Sequence, residues 1–289
     1  MTGDSLALPV TGLRQAFGHR PGPVRLDDHD PRATTGFLGD GKDDAPDAMK
    51  ALGKDLRHQQ QQLFAQGRHG SVRRMLLVLQ GMDTSGKGGV VRHAAGLIDP
   101  QGLSVATFGA PTADELEHDF LWRIRRRVPA PGLVGVFDRS HYEDVLVARV
   151  RELAPAAEIE RRYDLINDFE AELVEQGVTI LKVFLHIDRD VQRERLLARL
   201  DDPTKHWKYD PGDLEDRARW TDYQRAYETV LERCNTPAAP WYVVPAGRKW
   251  YRNWAVAALL NEHLAELDLS WPPADFDVDD QRRRLLSED

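Results

Sequence analysis

Gly81-Met-Asp-Thr-Ser-Gly86-Lys87-Gly88 is the stretch of this 289-residue chain whose residue types and spacing most directly permit chemistry. Gly81 and Gly86 allow tight backbone turns that aim N–H groups at anionic oxygens. A helix starting near Gly88 adds its positive end, and Lys87 reaches terminal phosphates. Gly81, Ser85, Gly86 and Gly88 are therefore expected to bind phosphate, with Lys87 as a catalytic cation. A G-x(4)-G-K match gains meaning from its setting, here an apolar run before it and a helical pattern after it. The Ser or Thr that usually follows the lysine and ligates magnesium is replaced by Gly88. Asp83 is the candidate to take over that task, although an Asp in such a loop can also serve only to brace the turn.

A second acidic motif, Asp138-Arg139-Ser140-His141-Tyr142-Glu143-Asp144, ends another apolar run. An acid at the carboxyl end of a neighbouring parallel strand lies beside a phosphate loop and suits a metal ion, so Asp83 and Asp138 form the expected metal pair. The alternative for Asp138 is a helix N-cap. Arg139 can clamp a phosphate oxygen as a fork, which lysine cannot do. His141 invites a catalytic-base reading. An attacking phosphate oxygen is already anionic and needs no base, so a helix-terminal or packing role is expected instead. Glu143 and Asp144 suit a metal or the acceptor, or simply a helix start.

Two basic segments remain. From Arg189 to Lys208 the chain holds six Arg or Lys residues, among them Arg193, Arg199, Lys205 and Lys208. They read as a lid over about 189–212 that closes on phosphates and excludes water. The competing reading is a solvated helix balanced by Asp190, Glu194, Asp201 and Asp202. Arg123, Arg126 and Arg127, with Arg125 among them, offer a track for a long polyanion, or a helix end complementing its dipole.

The elements that must position these groups are short apolar runs at 75–79, 103–108, 133–137, 178–185 and 241–244. Helical patterns lie between and after them, over roughly 88–97, 113–127, 143–151, 156–176, 189–200, 213–234 and 253–266. Such alternation predicts an α/β fold with a mostly parallel sheet, helices on both faces and ligands at the strand carboxyl ends. Residues 1–47 read as an N-terminal arm, 48–270 as one kinase domain and 271–289 as a loose tail. The net charge of −8 speaks against a general nucleic-acid binder. No secretory leader or membrane-length apolar run is visible, and Cys234 is the only cysteine, which suits a cytoplasmic enzyme.

Together with Lys205-His-Trp-Lys208, these two motifs resemble the polyphosphate kinase 2 family. The likeness runs from about Gly36 to Trp271 and includes Pro100-Gln-Gly102, Asp119-Phe-Leu-Trp-Arg123, Trp241-Tyr-Val-Val-Pro245 and Trp250-Tyr-Arg-Asn-Trp254. The resemblance implies a thymidylate-kinase-like P-loop fold in three layers with a lid. It also implies Mg²⁺, with Mn²⁺ able to replace it, and reversible phosphoryl transfer between inorganic polyphosphate and AMP, ADP or ATP. By position, Asp83 and Asp138 would bind the metal, and Lys87, Arg139, Arg199 and Lys208 would hold phosphate groups. The His-Tyr-Glu-Asp-Val stretch is most similar to the subgroup acting on both AMP and ADP. Aromatic residues in the C-terminal third suit a homo-oligomer. Two other readings stand beside this one: an ATP-dependent nucleoside monophosphate kinase, and a nucleotide-binding switch, for which the Asn-Lys-x-Asp base-reading motif is missing.

Overall fold

A computed structural model describes residues 12–18 and 22–287; the rest of the arm, and residues 288 and 289 of the tail, lie outside the described residues. Five strands form one parallel sheet in the order β2-β3-β1-β4-β5. They are β1 (Arg74–Gln80), β2 (Leu103–Thr107), β3 (Val134–Asp138), β4 (Val178–His186) and β5 (Trp241–Pro245). Met75-Leu-Leu-Val-Leu79 is buried throughout, as an apolar run at the centre of a doubly covered sheet must be. β2, at the edge, is half exposed, with Val105 facing solvent.

Alternation along β5 shows the two covering layers. Trp241 packs against Tyr142 on one face, while Tyr242 packs against His263 of the Lys249–Ala265 helix on the other. The first face carries the Ala156–Glu175 and Trp220–Arg233 helices, which meet Lys182 and Phe184 of β4. The second carries the Lys249–Ala265 and Ala45–Arg68 helices. β5 is the other edge, yet it is buried along its whole length. Residues 13–18 lie along it, with an antiparallel bridge between Gly18 and Tyr242, and this shields an edge that would otherwise invite pairing. Leu13 and Arg14 donate their backbone N–H groups to Glu262, and Leu13, Phe17, Val24 and Leu26 enter the core.

Two helical expectations and one for the tail need correction. The stretch 113–127 forms two short helices, Ala113–Leu116 and Trp122–Arg125, because the Asp119 carboxylate accepts from the N–H of Leu121 and starts a new turn. The stretch 143–151 begins instead as a 3-10 turn, His141–Asp144, and only Val147–Val150 is α-helical. The tail is not loose throughout: its Val278–Leu286 segment is helical, with Asp277 capping the N–H of Asp280 and Arg283 and Arg284 in the last turn. None of that helix is buried. Among the described residues no helix is long and apolar enough to cross a membrane.

Candidate active site

The β1–β3 register pairs Leu79 with Asp138, so the loop after β1 and the turn after β3 leave the same edge of the sheet side by side. In the loop, Gly81 and Gly86 have φ of 151° and 106°, conformations that a side chain strains. Two non-glycine residues, Thr84 and Arg139, also sit at positive φ, 67° and 66°. Strain of this kind persists where surrounding structure imposes it, and it gathers at functional sites. The Arg139 N–H donates to the carbonyl of Leu79 at 3.2 Å, which ties the two strand ends together. Thr84 Oγ1 and Ser85 Oγ are buried with no hydrogen-bond partner.

Lys87 starts the Lys87–His93 helix and is buried, its Nζ donating to the carbonyl of Gly81 at 2.7 Å. Burial pushes its pKa down, and Asp83, Asp138 and Glu143 oppose that while Arg139 adds to it. Asp83, Asp138, Glu143 and Arg139 therefore all act on Lys87 across this edge. Arg139 donates to Asp83 at 3.0 Å. Burial works against the Arg139 charge, but Glu143 and Asp83 outweigh it and raise its pKa. Burial pushes the Glu143 carboxyl up, against Arg139 and Lys87.

A cavity of about 640 Å³ opens in front of this cluster, lined by Gly81, Asp83, Arg139 and Glu143 on one side. Arg123 and Arg162 line it further in, 3.7 Å and 3.8 Å from the Asp144 carboxylate. Asp213, Tyr223 and Tyr227 form another wall. A cavity of about 370 Å³ under residues 16–18 has no Lys or Arg among its described lining residues, and so offers no cation to a phosphate.

The polyphosphate kinase 2 (PPK2) family model matches residues 41–270. The chain belongs to the polyphosphate kinase 2 family. It is 47% identical to the AMP/ADP-polyphosphate phosphotransferase of Meiothermus ruber over 251 residues, covering 87% of this chain and 92% of that one. The ADP-polyphosphate phosphotransferase of Rhodopseudomonas palustris is 43% identical over 225 residues, 74% and 76% of the two chains. The crystal structure of polyphosphate kinase 2 from Arthrobacter aurescens TC1 superposes with a TM-score of 0.94 at 50% identity, covering 97% of this chain and 99% of that one. The parallel sheet with its glycine loop is thus the P-loop kinase fold of polyphosphate kinase 2.

Within this polyphosphate kinase 2 fold, Asp83, Lys87, Asp138, Arg139 and Glu143 come together, while Arg193, Lys205 and Lys208 do not line the cavity. Arg193 pairs with Asp190 and Lys205 with Asp202. Lys208 lies over the ring of Trp207, which is 77% exposed. Arg199 donates to the Lys208 carbonyl and to Asp213, bridging the Arg189–Leu200 helix, the Pro203–Lys208 turn and the cavity wall. The arginine group divides: Arg123 is buried and faces the cavity, Arg125 pairs with Glu172, Arg126 lies over the Trp122 ring, and Arg127 is exposed. His141 is buried and hydrogen-bonds Glu170 at 3.2 Å, a packing position.

Sequence reasoning did not pick out Arg162, Arg195, Asp213 or Arg252 as site residues. Arg195 and Arg252 hold the back of the loop, donating to its carbonyls at Thr84 and Ser85. Arg252 sits in the Trp250–Trp254 stretch, but no local pattern says that its partner lies more than 160 residues away.

Proposed function

We propose that this protein transfers phosphoryl groups between inorganic polyphosphate and a nucleotide, AMP or ADP, reversibly. The observation that carries the reading is the cationic pair Lys87 and Arg139, set among Asp83, Asp138 and Glu143 at the mouth of a cavity that holds three further arginines, Arg123, Arg151 and Arg162. That arrangement provides for two phosphate groups, one at the loop and one in the cavity, meeting at an acidic rim. The names of the Meiothermus and Rhodopseudomonas relatives support polyphosphate as one substrate and AMP or ADP as the other.

In this reading the backbone of Gly81, Ser85, Gly86 and Gly88 and the Lys87 ammonium hold the end of the polyphosphate. Arg123 and Arg162 hold the acceptor's phosphates. An anionic oxygen of the acceptor attacks the terminal phosphorus in line. A new P–O bond forms, the bridging P–O bond of the donor breaks, and the shortened polyphosphate leaves as an anion. No general base is needed, so catalysis is positioning and charge neutralisation. Arg139 neutralises charge on the transferring group, and Arg193, Arg199, Lys205 and Lys208 close over it as a lid spanning about 189–212.

The donor set also fits a metal of one class. Among the described residues no three His, Cys, Asp or Glu side chains form a cage. Two hard carboxylates, Asp83 and Asp138, suit Mg²⁺, which keeps waters and substrate phosphates as its remaining ligands; Mn²⁺ would serve as well. Bound there, the ion would neutralise charge between the two phosphates. A cytoplasmic location and a homo-oligomer complete the reading. Trp271, Phe276, Leu285 and Leu286 are exposed and available to a second copy, whereas Trp241, Tyr242, Tyr251 and Trp254 are core.

The test mixes purified protein with ADP, Mg²⁺ and polyphosphate and measures ATP, then repeats it with AMP and measures ADP. Formation of both supports the reading. No product in either direction ends it, and phosphorylation of AMP by ATP with polyphosphate rigorously removed favours a nucleoside monophosphate kinase.

A further inference from the structure

Behind the phosphate loop, two arginines from distant parts of the chain converge on one carbonyl. The Ser85 oxygen accepts from Arg195 Nη1 at 3.1 Å and from Arg252 Nη1 at 3.2 Å. Arg195 Nη1 also donates to the Thr84 oxygen at 2.8 Å. Its Nη2 spans to the carbonyls of Ala246 and Gly247, just past β5, at 2.5 Å and 3.0 Å. Arg252 spends its other N–H groups on Asn253 Oδ1. Every hydrogen bond named here ends on a carbonyl or amide oxygen rather than a carboxylate.

Two consequences follow from peptide geometry. In a planar trans peptide the C=O and the next N–H point in opposite directions. Pinning the Ser85 carbonyl toward the arginines therefore turns the Gly86 N–H to the opposite side of the loop. Pinning the Thr84 carbonyl does the same for the Ser85 N–H, which closes the turn on the Met82 oxygen. The arginines also explain two glycines. A Cβ at Gly86 would lie 1.7 Å from Arg252 Nη1, and one at Gly89 would lie 2.4 Å from Nη2.

Among the described residues neither charge has a carboxylate in ion-pair contact, and Glu194 and Asp188 offset Arg195 only in part. Burial, and then the neighbouring cations, push Arg195 down to about 10 and Arg252 down to about 9. A buried and a half-buried positive charge, each poorly compensated, are costly in an empty site and favourable once an anion lies on the far side of the loop.

We infer that Arg195 and Arg252 are positioning residues for the polyphosphate substrate: their forks hold the Thr84 and Ser85 carbonyls to the rear, so that the Ser85 N–H closes the turn and the Gly86 N–H faces the donor. This rests on the reading of the loop as the polyphosphate seat. Neither residue lines the cavity assigned to the nucleotide, so their loss should fall on one substrate.

Arg195 is half-buried and the safer site to vary, with Arg252→Lys as the second variant. In Arg195→Lys and Arg195→Gln alike, kcat/KM for polyphosphate should fall about 30-fold, the scale of losing a pair of charge-assisted hydrogen bonds, while KM for ADP stays within about 2-fold. Lysine keeps the charge but not the fork, so it should not rescue. A polyphosphate titration followed by thermal shift should show wild-type protein stabilised and Arg195→Lys stabilised less. Because that binding measurement needs no turnover, a failure of the proposed reaction and a failure of this inference are separable. Wild-type kcat/KM for polyphosphate in Arg195→Lys, an unchanged polyphosphate-induced shift, or equal losses toward ADP and polyphosphate would overturn it.

Discussion

Two buried lysines sit close together in the fold and do opposite things. Lys182, in β4, pairs in register with Val78 of β1, three residues before the loop that carries Lys87. Its Nζ donates to Glu170 at 2.6 Å, to the Cys234 carbonyl at 2.7 Å and to the Tyr142 hydroxyl at 2.8 Å, with the rings of Tyr142 and Trp241 packed alongside. All three donors are used and the nearest acid is in contact. Lys87 has carbonyls of its own loop for contacts, and its acids act on it without a direct bond. The same residue type thus makes a saturated structural network behind the sheet and an unsaturated, ligand-ready one at its edge. Saturation by partners, rather than burial alone, separates the two roles.

The comparison can be broken most forcefully by exchanging the outcomes. Asp83→Asn at the edge should reduce kcat by about 10²- to 10³-fold, as losses of charge-stabilising groups do, with little change in Tm. Lys182→Met behind the sheet should do the reverse. Removing one partner of a buried pair leaves Glu170 uncompensated and should cost about 3–5 kcal/mol of stability by denaturant unfolding, with kcat per folded molecule close to wild type. If Lys182→Met abolished turnover in fully folded protein, the division between the networks would fail.

A smaller effect sharpens the contrast through pH. Burial would push the Glu170 carboxyl up, but Lys182 and His141 outweigh it and hold it below its ordinary 4.5. Its contribution to stability is therefore present above that value and lost as pH falls through the lowered one. For Glu143, burial wins over Arg139 and Lys87 and its pKa is raised. Its contribution is present below 4.5 and lost as pH rises through the raised value. Unfolding measured from pH 3.5 to 7 should show Glu170→Gln most damaging at the neutral end and Glu143→Gln harmless or stabilising there. Two variants with the same pH profile would contradict the assignment.

The smallest effect belongs to Gly88. No atom lies within 4 Å of where its Cβ would stand, so Gly88→Ser should fold normally and keep kcat within about 3-fold, the range of a substitution that disturbs no contact. Gly86→Ala, with φ at 106° and Arg252 in the way, should not. Steady-state kinetics on the two variants checks both.

What the sequence made legible was local. The five apolar runs became the five strands within a residue or two, because every strand but the half-exposed edge strand β2 is buried along nearly its whole length. The loop and the Asp138 turn were readable because each occupies a few consecutive residues at a strand end. Long-range pairings left no such trace. Nothing near Lys182 announces Glu170, and nothing near Ser85 announces Arg195 or Arg252, since the partners come from separate helices. The run Arg123–Arg127 looked like one basic surface. Helix geometry sends Arg123 and Ile124 inward and Arg125, Arg126 and Arg127 outward, and Asp119 breaks the longer helix that would have aligned the arginines.

The most direct test compares Lys87→Ala with wild type at equal folded concentration, following ATP made from ADP, Mg²⁺ and polyphosphate. The account predicts turnover at least about 10³-fold lower, since the lysine serves the transferring charge. Tm should be unchanged or higher, because a buried and poorly satisfied cation is removed. Turnover within a few-fold of wild type would contradict it.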